Sequence, residues 1–167
     1  ILTEVKNNIS SKVRVQYENS PYPRWVNIGL PYKSSTISRV IFDLKLNLFN
    51  NEIKNIESPN ILIAGCGTGQ HSIETATRFK NSNVLAIDLS LSSLSYAKYK
   101  TRELGINNIE YMQADILNLS NLGKKFDIIE SIGVLHHMEK PIEGWKVLKS
   151  CLANGGLMRV GLYSELA

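Results

Sequence analysis

The chain has 167 residues, of which 43% are hydrophobic and 20% are charged, proportions that are ordinary for one globular domain with a sizeable core. Its formal net charge is +4, but the Lys and Arg residues are interleaved with Asp and Glu, which favours a generally solvated surface over a nucleic-acid site. No apolar run is long enough to cross a bilayer, which argues against a membrane protein.

Residues 1–36 are predicted to form an irregular N-terminal segment that lies over the surface of the main domain. Pro21, Pro23 and Pro31 fall in this stretch, and prolines fix φ and disfavour helix in the residue before them. The main domain is expected to span 37–167. It opens with a helix from Ile37 that Ser35 or Thr36 caps. We interpret the chain as a piece of a longer protein.

From residue 60 onward, aliphatic strands alternate with helical segments. The strands are predicted in "NILIAG", "NVLAIDLS", "IEYMQAD", "FDIIESIG" and "LMRVGLYS". The helices are predicted in "QHSIETATRFK", "SSLSYAKYKTRELG" and "PIEGWKVLKSCLANGG", the last one stopped by its glycines. This alternation predicts an α/β fold, a Rossmann-like doubly wound and mostly parallel sheet with helices on both faces.

Three closely spaced glycines, Gly65, Gly67 and Gly69, follow the first predicted strand. Ligands of doubly wound sheets bind at the carboxyl ends of the strands, where a bare backbone allows close approach. A tight turn without a ligand is the alternative. Asp88 ends the second strand, 88 − 65 = 23 positions after the first glycine, which is close to the spacing of about 20 for a ribose-binding acid. Its alternative role is a helix N-cap.

The glycine order is G-x-G-x-G rather than the G-x-G-x-x-G of dinucleotide-binding proteins. At this point the sequence resembles the class I S-adenosylmethionine-dependent methyltransferases. "LIAGCGTGQHS", "VLAIDLS", "IEYMQADILNL", "FDIIESIGVLHHME" and "LANGGLMRVGLYSE" are similar to the successive motifs of that family, in the right order and spacing. The resemblance covers about residues 37 to 163 and implies S-adenosyl-L-methionine as the cofactor.

The resemblance also implies a set of cofactor-binding residues. The glycine loop would pack against the methionine portion, Asp88 would bind the ribose, and Asp115 would accept a hydrogen bond from the adenine amine. Leu89 and Ile116 would flank the base, and Ser131 would line the sulfonium end. The full predicted set is Gly65, Cys66, Gly67, Thr68, Gly69, His71, Asp88, Leu89, Asp115, Ile116 and Ser131.

Two departures from the family pattern stand out. Most members carry an acid two positions before the first motif glycine, where it helps to hold the amino group of the cofactor, whereas this chain has Ile63. The sheet of the family normally has seven strands, so strands six and seven are expected to be missing from this fragment. An open strand edge would then be exposed, and a dimer formed through that edge is a hypothesis.

His136 and His137 follow the fourth strand, beside the expected position of the methyl group, and are the candidate catalytic residues. Either one could act as a general base or orient the acceptor. No metal site is predicted, because adjacent histidines rarely both face one metal. Cys66 and Cys151 have no metal-like spacing, and nothing else suggests an oxidising compartment, so we expect free thiols in a cytoplasmic protein.

The leading functional hypothesis is methyl transfer to an unidentified small molecule or protein. A module that binds the cofactor without catalysis is a second hypothesis, and a nicotinamide-dependent oxidoreductase is a third. "QYENSPYPRW" resembles a stretch found ahead of methyltransferase domains in bacterial proteins that are often joined to tetratricopeptide repeats. That likeness implies a lid or a substrate pocket, and the alternative is that Trp25 and the tyrosines only anchor the segment.

Overall fold

The computed structural model describes residues 8–163. The predicted N-terminal segment begins with residues 1–7 and the predicted main domain ends with residues 164–167, and both stretches lie outside the described residues. The helices are α1 (Asn8–Asn19), α2 (Ile37–Asp43), α3 (Gln70–Arg78), α4 (Leu91–Glu103) and α5 (Pro141–Ser150). The strands are β1 (Asn60–Ala64), β2 (Asn83–Asp88), β3 (Ile109–Gln113), β4 (Phe126–Ile132) and β5 (Leu152–Gly161). Short 3₁₀ helices form at Glu52–Asn55, Ile116–Leu122 and Leu135–His137.

The five strands form one sheet in the order β3-β2-β1-β4-β5, and every neighbouring pair is parallel. The order reverses between β1 and β4, which is the switch point where doubly wound sheets bind ligands. The predicted α/β fold is therefore confirmed, and the described sheet is parallel throughout.

Apolar side chains alternate between the two faces of the sheet because successive residues of a strand point to opposite sides. Ile61 and Ile63 pack on one face with α2, α3 and α4. Leu62 and Ala64 pack on the other face with α5 and the 3₁₀ helices that follow β3 and β4. Both faces of the sheet are covered, as the aliphatic runs of the strands predict.

Local signals set several of the boundaries. Thr36 caps α2, since its hydroxyl accepts a hydrogen bond from the Arg39 N–H at 3.2 Å. Ser90 caps α4 in the same way through the Ser93 N–H at 3.1 Å. No helix among residues 8–163 has both the length and the hydropathy of a membrane span.

Two expectations about element boundaries are corrected. The N-terminal segment is not irregular throughout, because α1 occupies part of it. Among the described residues of this segment, the stretch after α1 lacks regular structure apart from an isolated bridge at Ser35. The fifth helix ends at Ser150 rather than at the glycines, which belong to β5. Pairing of β5 with the buried β4 overrides the helix-stop signal of the sequence.

Candidate functional site

A cavity of about 630 Å³ lies at the carboxyl ends of the strands. It is bounded by the loop after β1, the ends of β2 and β3, the loop after β4, and α1 with the segment that follows it. This volume is in the range that suits a cofactor or a drug-sized ligand. The location is the one that a doubly wound parallel sheet predicts.

Three other parts of the chain come close to the backbone of the glycine loop. A Cβ on Gly65 would lie 2.3 Å from a methyl carbon of Val134, and a Cβ on Gly67 would lie 2.4 Å from the carbonyl oxygen of Tyr22. A Cβ on Gly69 would lie 2.6 Å from the Cβ of Ala97 in α4. The glycines thus allow three other parts of the chain to pack closely, while Gly65 and Gly67 also line the cavity.

Asp88 lies at the end of β2, and its carboxylate holds the glycine loop. One oxygen accepts the Gly67 N–H at 2.8 Å, and the other accepts the Ser90 N–H at 2.9 Å. Burial raises the pKa of Asp88, although the backbone N–H bonds oppose that shift. A carboxylate has about four acceptor positions, so Asp88 keeps acceptor capacity for a ligand in the cavity.

Asp115 lies just after β3 and also lines the cavity. Its side chain is buried and accepts the Leu117 N–H at 3.0 Å, which caps the 3₁₀ helix that follows. Leu89 and Ile116 line the cavity beside these two acids. The arrangement provides two acceptor groups on neighbouring strands with apolar surface close by.

The segment after α1 is held against the glycine loop through Thr68. The Thr68 N–H donates to the Tyr22 carbonyl at 3.3 Å, and its hydroxyl donates to the Pro23 carbonyl. The Trp25 indole N–H donates to both the carbonyl and the hydroxyl oxygen of Thr68, at 3.2 and 3.1 Å. Tyr17, Tyr22 and Pro23 consequently form part of the cavity wall.

The two adjacent histidines have different surroundings. His137 lines the cavity, and its Nε2 lies 3.4 Å from the Tyr17 hydroxyl. His136 packs between His137 and Tyr163, whose rings are tilted against it with centroids 4.2 and 4.4 Å away, and neither of its ring nitrogens has a partner among the described residues. Of these two histidines, only His137 lines the cavity.

The titration of His137 is expected to have its midpoint below 6.5, the usual pKa of histidine. Burial lowers the pKa of His137, and the charge of His136 lowers it further. Between the lowered pKa and 6.5, the unfolded chain binds a proton that the folded chain does not, so the free energy of unfolding rises with pH in that window. NMR titration of the imidazole signals, with His137→Gln for assignment, measures the midpoint; a value of 6.5 or above would contradict the burial argument.

A buried carboxylate, Glu130, was not among the predicted site residues. It lies within β4 and is only 4% exposed. Its Oε2 lies 2.7 Å from His71 Nε2 and accepts the Thr75 hydroxyl at 2.8 Å. Burial alone would raise the pKa of Glu130, but the hydrogen bonds that it accepts from His71 and Thr75 help to lower it overall. The signal available in the sequence is a charged residue in the interior of a predicted strand, directly after the two apolar residues Ile128 and Ile129.

The predicted site residues separate into two groups. Those that line the cavity are Gly65, Cys66, Gly67, His71, Asp88, Leu89, Asp115, Ile116 and His137. Those whose side chains or Cα atoms lie behind its wall are Thr68, Gly69, Ser131 and His136. Ser131 is fully buried and donates to the Ala64 carbonyl at 3.1 Å, which ties β4 to β1.

Cys66 and Cys151 are both buried and are not joined to each other. Burial raises the pKa of the Cys66 thiol well above its usual value, so this side chain acts as a neutral part of the wall. Within residues 8–163, no group of three His, Cys, Asp or Glu side chains is arranged to hold a metal ion.

Comparison with known proteins agrees with this geometry. An uncharacterised protein of Synechococcus is 36% identical over 109 residues, which are 65% of this chain and 26% of that protein. The crystal structure of an S-adenosylmethionine-dependent methyltransferase from Clostridium acetobutylicum matches with a TM-score of 0.58 and 27% identity, over 72% of this chain and 47% of that one. PKMT2 from Rickettsia typhi in complex with AdoHcy matches with a TM-score of 0.62 and 25% identity, over 82% of this chain and 26% of that one.

The chain spans about a quarter of the length of the first curated relatives that it matches. The sequence model of the methyltransferase domain family matches residues 61–156, which is more than half of the chain. That interval contains the glycine loop, both cavity aspartates and the two histidines. The chain therefore belongs to the methyltransferase domain family.

Proposed function

We propose that the domain binds S-adenosylmethionine in the cavity and transfers its methyl group to an acceptor. The observation that carries the proposal is that Asp88 and Asp115, at the ends of neighbouring strands, line one cavity together with Gly65 and Gly67. Family membership and the likeness to S-adenosylmethionine-dependent methyltransferases support the same assignment.

The residues of the cavity fit the adenosyl part of this cofactor. Asp88 retains acceptor capacity for the ribose hydroxyls, and Asp115 offers an acceptor for the adenine amine. Leu89 and Ile116 supply apolar surface for the base. Because the strand order places β3 next to β2, base and sugar would lie over that half of the sheet.

When bound, the cofactor supplies an activated methyl group on a sulfonium, which an acceptor nucleophile attacks in line as the sulfur leaves. The chain then has to position the acceptor and exclude water. We assign His137 to the acceptor side, because it lines the cavity and its lowered pKa keeps it neutral at neutral pH. A neutral imidazole can take up the proton of a methyl acceptor whose attacking atom carries one.

We further propose that the stretch from Tyr17 to Trp25 acts as a lid over the cofactor. It forms part of the cavity wall, and Thr68 binds it to the glycine loop. Glu18 adds a second attachment, since its carboxylate accepts the Leu91 and Ser92 N–H groups at the start of α4, at 2.7 and 3.0 Å. A lid of this kind would exclude water from the methyl group.

Three further assignments belong to the same proposal. The acceptor is a small molecule or a protein side chain. The domain works in the cytoplasm, for which the two free, buried cysteines are the support. A dimer can form through the edge of the sheet at β5, since β5 has only β4 as a described neighbour.

The proposal is tested by isothermal titration calorimetry of the chain with S-adenosylmethionine, S-adenosylhomocysteine and NAD. We expect saturable 1:1 binding of the two adenosyl ligands and none of NAD. Binding of NAD alone would overturn the methyltransferase assignment in favour of an oxidoreductase. Binding of no ligand by the folded chain would overturn the assignment of the cavity.

A further inference from the structure

A row of three side chains crosses the sheet beside the cavity. Ile63, Glu130 and Arg159 are paired in register on β1, β4 and β5, so they point to the same face. Ile63 is fully buried in the apolar cluster beneath α3, which removes position 63 as a site for a charged group. The next position in the row holds the buried carboxylate of Glu130. Burying a charge is costly unless it is paired, so the partners of Glu130 identify its role.

The shortest contact of Glu130 is with a residue that lines the cavity. His71, in the first turn of α3, approaches it at 2.7 Å, while Arg159 is 3.8 Å from the other oxygen. An ionised carboxylate only accepts hydrogen bonds, so the proton of this contact belongs to His71 Nε2. The Nδ1 atom has no partner among the described residues. Glu130 therefore fixes the ring and leaves the acceptor nitrogen, Nδ1, free for a ligand.

The strand order indicates which part of a ligand His71 meets. Asp88 ends β2 and Asp115 comes shortly after β3, both on one side of β1, and they would hold the sugar and the base. Glu130 lies in β4, on the other side of β1, and His71 contacts it there at 2.7 Å. A cofactor with its adenosine over β3 and β2 extends its amino-acid end across β1 toward β4. This step rests on the proposed function, which supplies the identity of the ligand.

We infer that His71, oriented by Glu130, accepts a hydrogen bond from the α-ammonium group of the bound cofactor. The carboxylate of Glu130 thereby stabilises the ammonium group indirectly, through the imidazole of His71. The residues that hold this end of the cofactor then belong to β4 and α3 rather than to β1. Glu130 is a positioning residue, since it does not line the cavity itself. The assignment accounts for a buried charge within a strand and for the apolar residue at position 63.

The test compares two ligands by calorimetry: S-adenosylhomocysteine and its analogue without the amino group, 5′-S-(3-carboxypropyl)-5′-thioadenosine. In His71→Ala and Glu130→Gln, affinity for S-adenosylhomocysteine should fall about tenfold, as expected for the loss of one charge-assisted hydrogen bond. Affinity for the analogue should change by less than about twofold. The double variant should lose no more than His71→Ala alone, because Glu130 acts through His71.

The matched control is Glu110→Gln, which removes an exposed carboxylate from the far edge strand β3 and should leave both affinities unchanged. Equal losses for both ligands, or no loss for either, would overturn the inference while leaving the proposed function intact. Failure of the unaltered chain to bind S-adenosylhomocysteine would instead overturn the proposed function. Thermal melts establish that each variant is folded, and if Glu130→Gln does not fold, His71→Ala alone decides the outcome.

Discussion

Asp88→Asn is expected to lower the affinity for S-adenosylhomocysteine by about 10- to 100-fold, the equivalent of one or two charge-assisted hydrogen bonds. The two carboxylate oxygens already accept the Gly67 and Ser90 N–H groups, at 2.8 and 2.9 Å. An asparagine has one acceptor oxygen, so its NH₂ group must face one of these donors. The glycine loop or the start of α4 then loses its hydrogen bond, and the ribose loses its charged partner.

The same change should reduce the free energy of unfolding by about 1 to 3 kcal/mol, the cost of leaving a partly buried donor unpaired. Asp127→Asn is the matched control, because Asp127 accepts a single backbone N–H, that of Asn60, at 2.8 Å, at the opposite end of the sheet. An amide oxygen can keep that bond. Calorimetry and urea unfolding measure the two quantities. If Asp88→Asn binds the ligand as tightly as Asp127→Asn does, Asp88 does not contact the ribose.

The site residues whose positions the sequence predicts are those at the carboxyl ends of strands. Aliphatic runs bounded by turn residues place Gly65, Asp88 and Asp115 at the carboxyl ends of β1, β2 and β3. Parallel pairing brings these ends to one edge, which is why the three residues line one cavity. Local patterning and the topology of parallel sheets are sufficient for that step.

The parts that the sequence does not predict depend on contacts between distant residues. The contact between Glu130 and His71 needs the register of β4 against β1, and these residues are 59 positions apart. Helix α1 is attached to α4 by Glu18 across 73 positions, which no local pattern encodes. Ser131 and Thr68 occupy motif positions, yet their hydroxyls bond to Ala64 and Pro23 inside the protein. Side-chain direction at those positions is decided by tertiary packing.

Gly67→Ala is expected to destabilise the chain by about 3 kcal/mol, with about 1 kcal/mol from backbone strain and the rest from overpacking. Gly67 has φ +52°, and an added Cβ would lie 2.4 Å from the backbone carbonyl oxygen of Tyr22. That oxygen is part of a backbone that Thr68 holds in place, so the clash can be relieved only if the segment moves away. Urea unfolding measures the total loss.

Gly105→Ala separates the two contributions to this loss. Gly105 also has a left-handed backbone, with φ +68°, but an added Cβ would meet no atom within 4 Å. We expect this variant to lose only the strain contribution of about 1 kcal/mol. A loss for Gly67→Ala no larger than that for Gly105→Ala would contradict the proposed packing of the segment on the loop.

Movement of the segment has its own signal in the fluorescence of Trp25. This indole is 8% exposed, whereas Trp145, the second tryptophan of the chain, is 39% exposed, so a Trp145→Phe background isolates the buried emitter. In that background, Gly67→Ala should shift the emission to longer wavelength and weaken binding of S-adenosylhomocysteine, while Gly105→Ala should change neither. Because Trp25 donates to Thr68 within the glycine loop, a coupled change in emission and affinity would show that lid and loop act as one unit. A red shift without loss of affinity would separate the segment from cofactor binding.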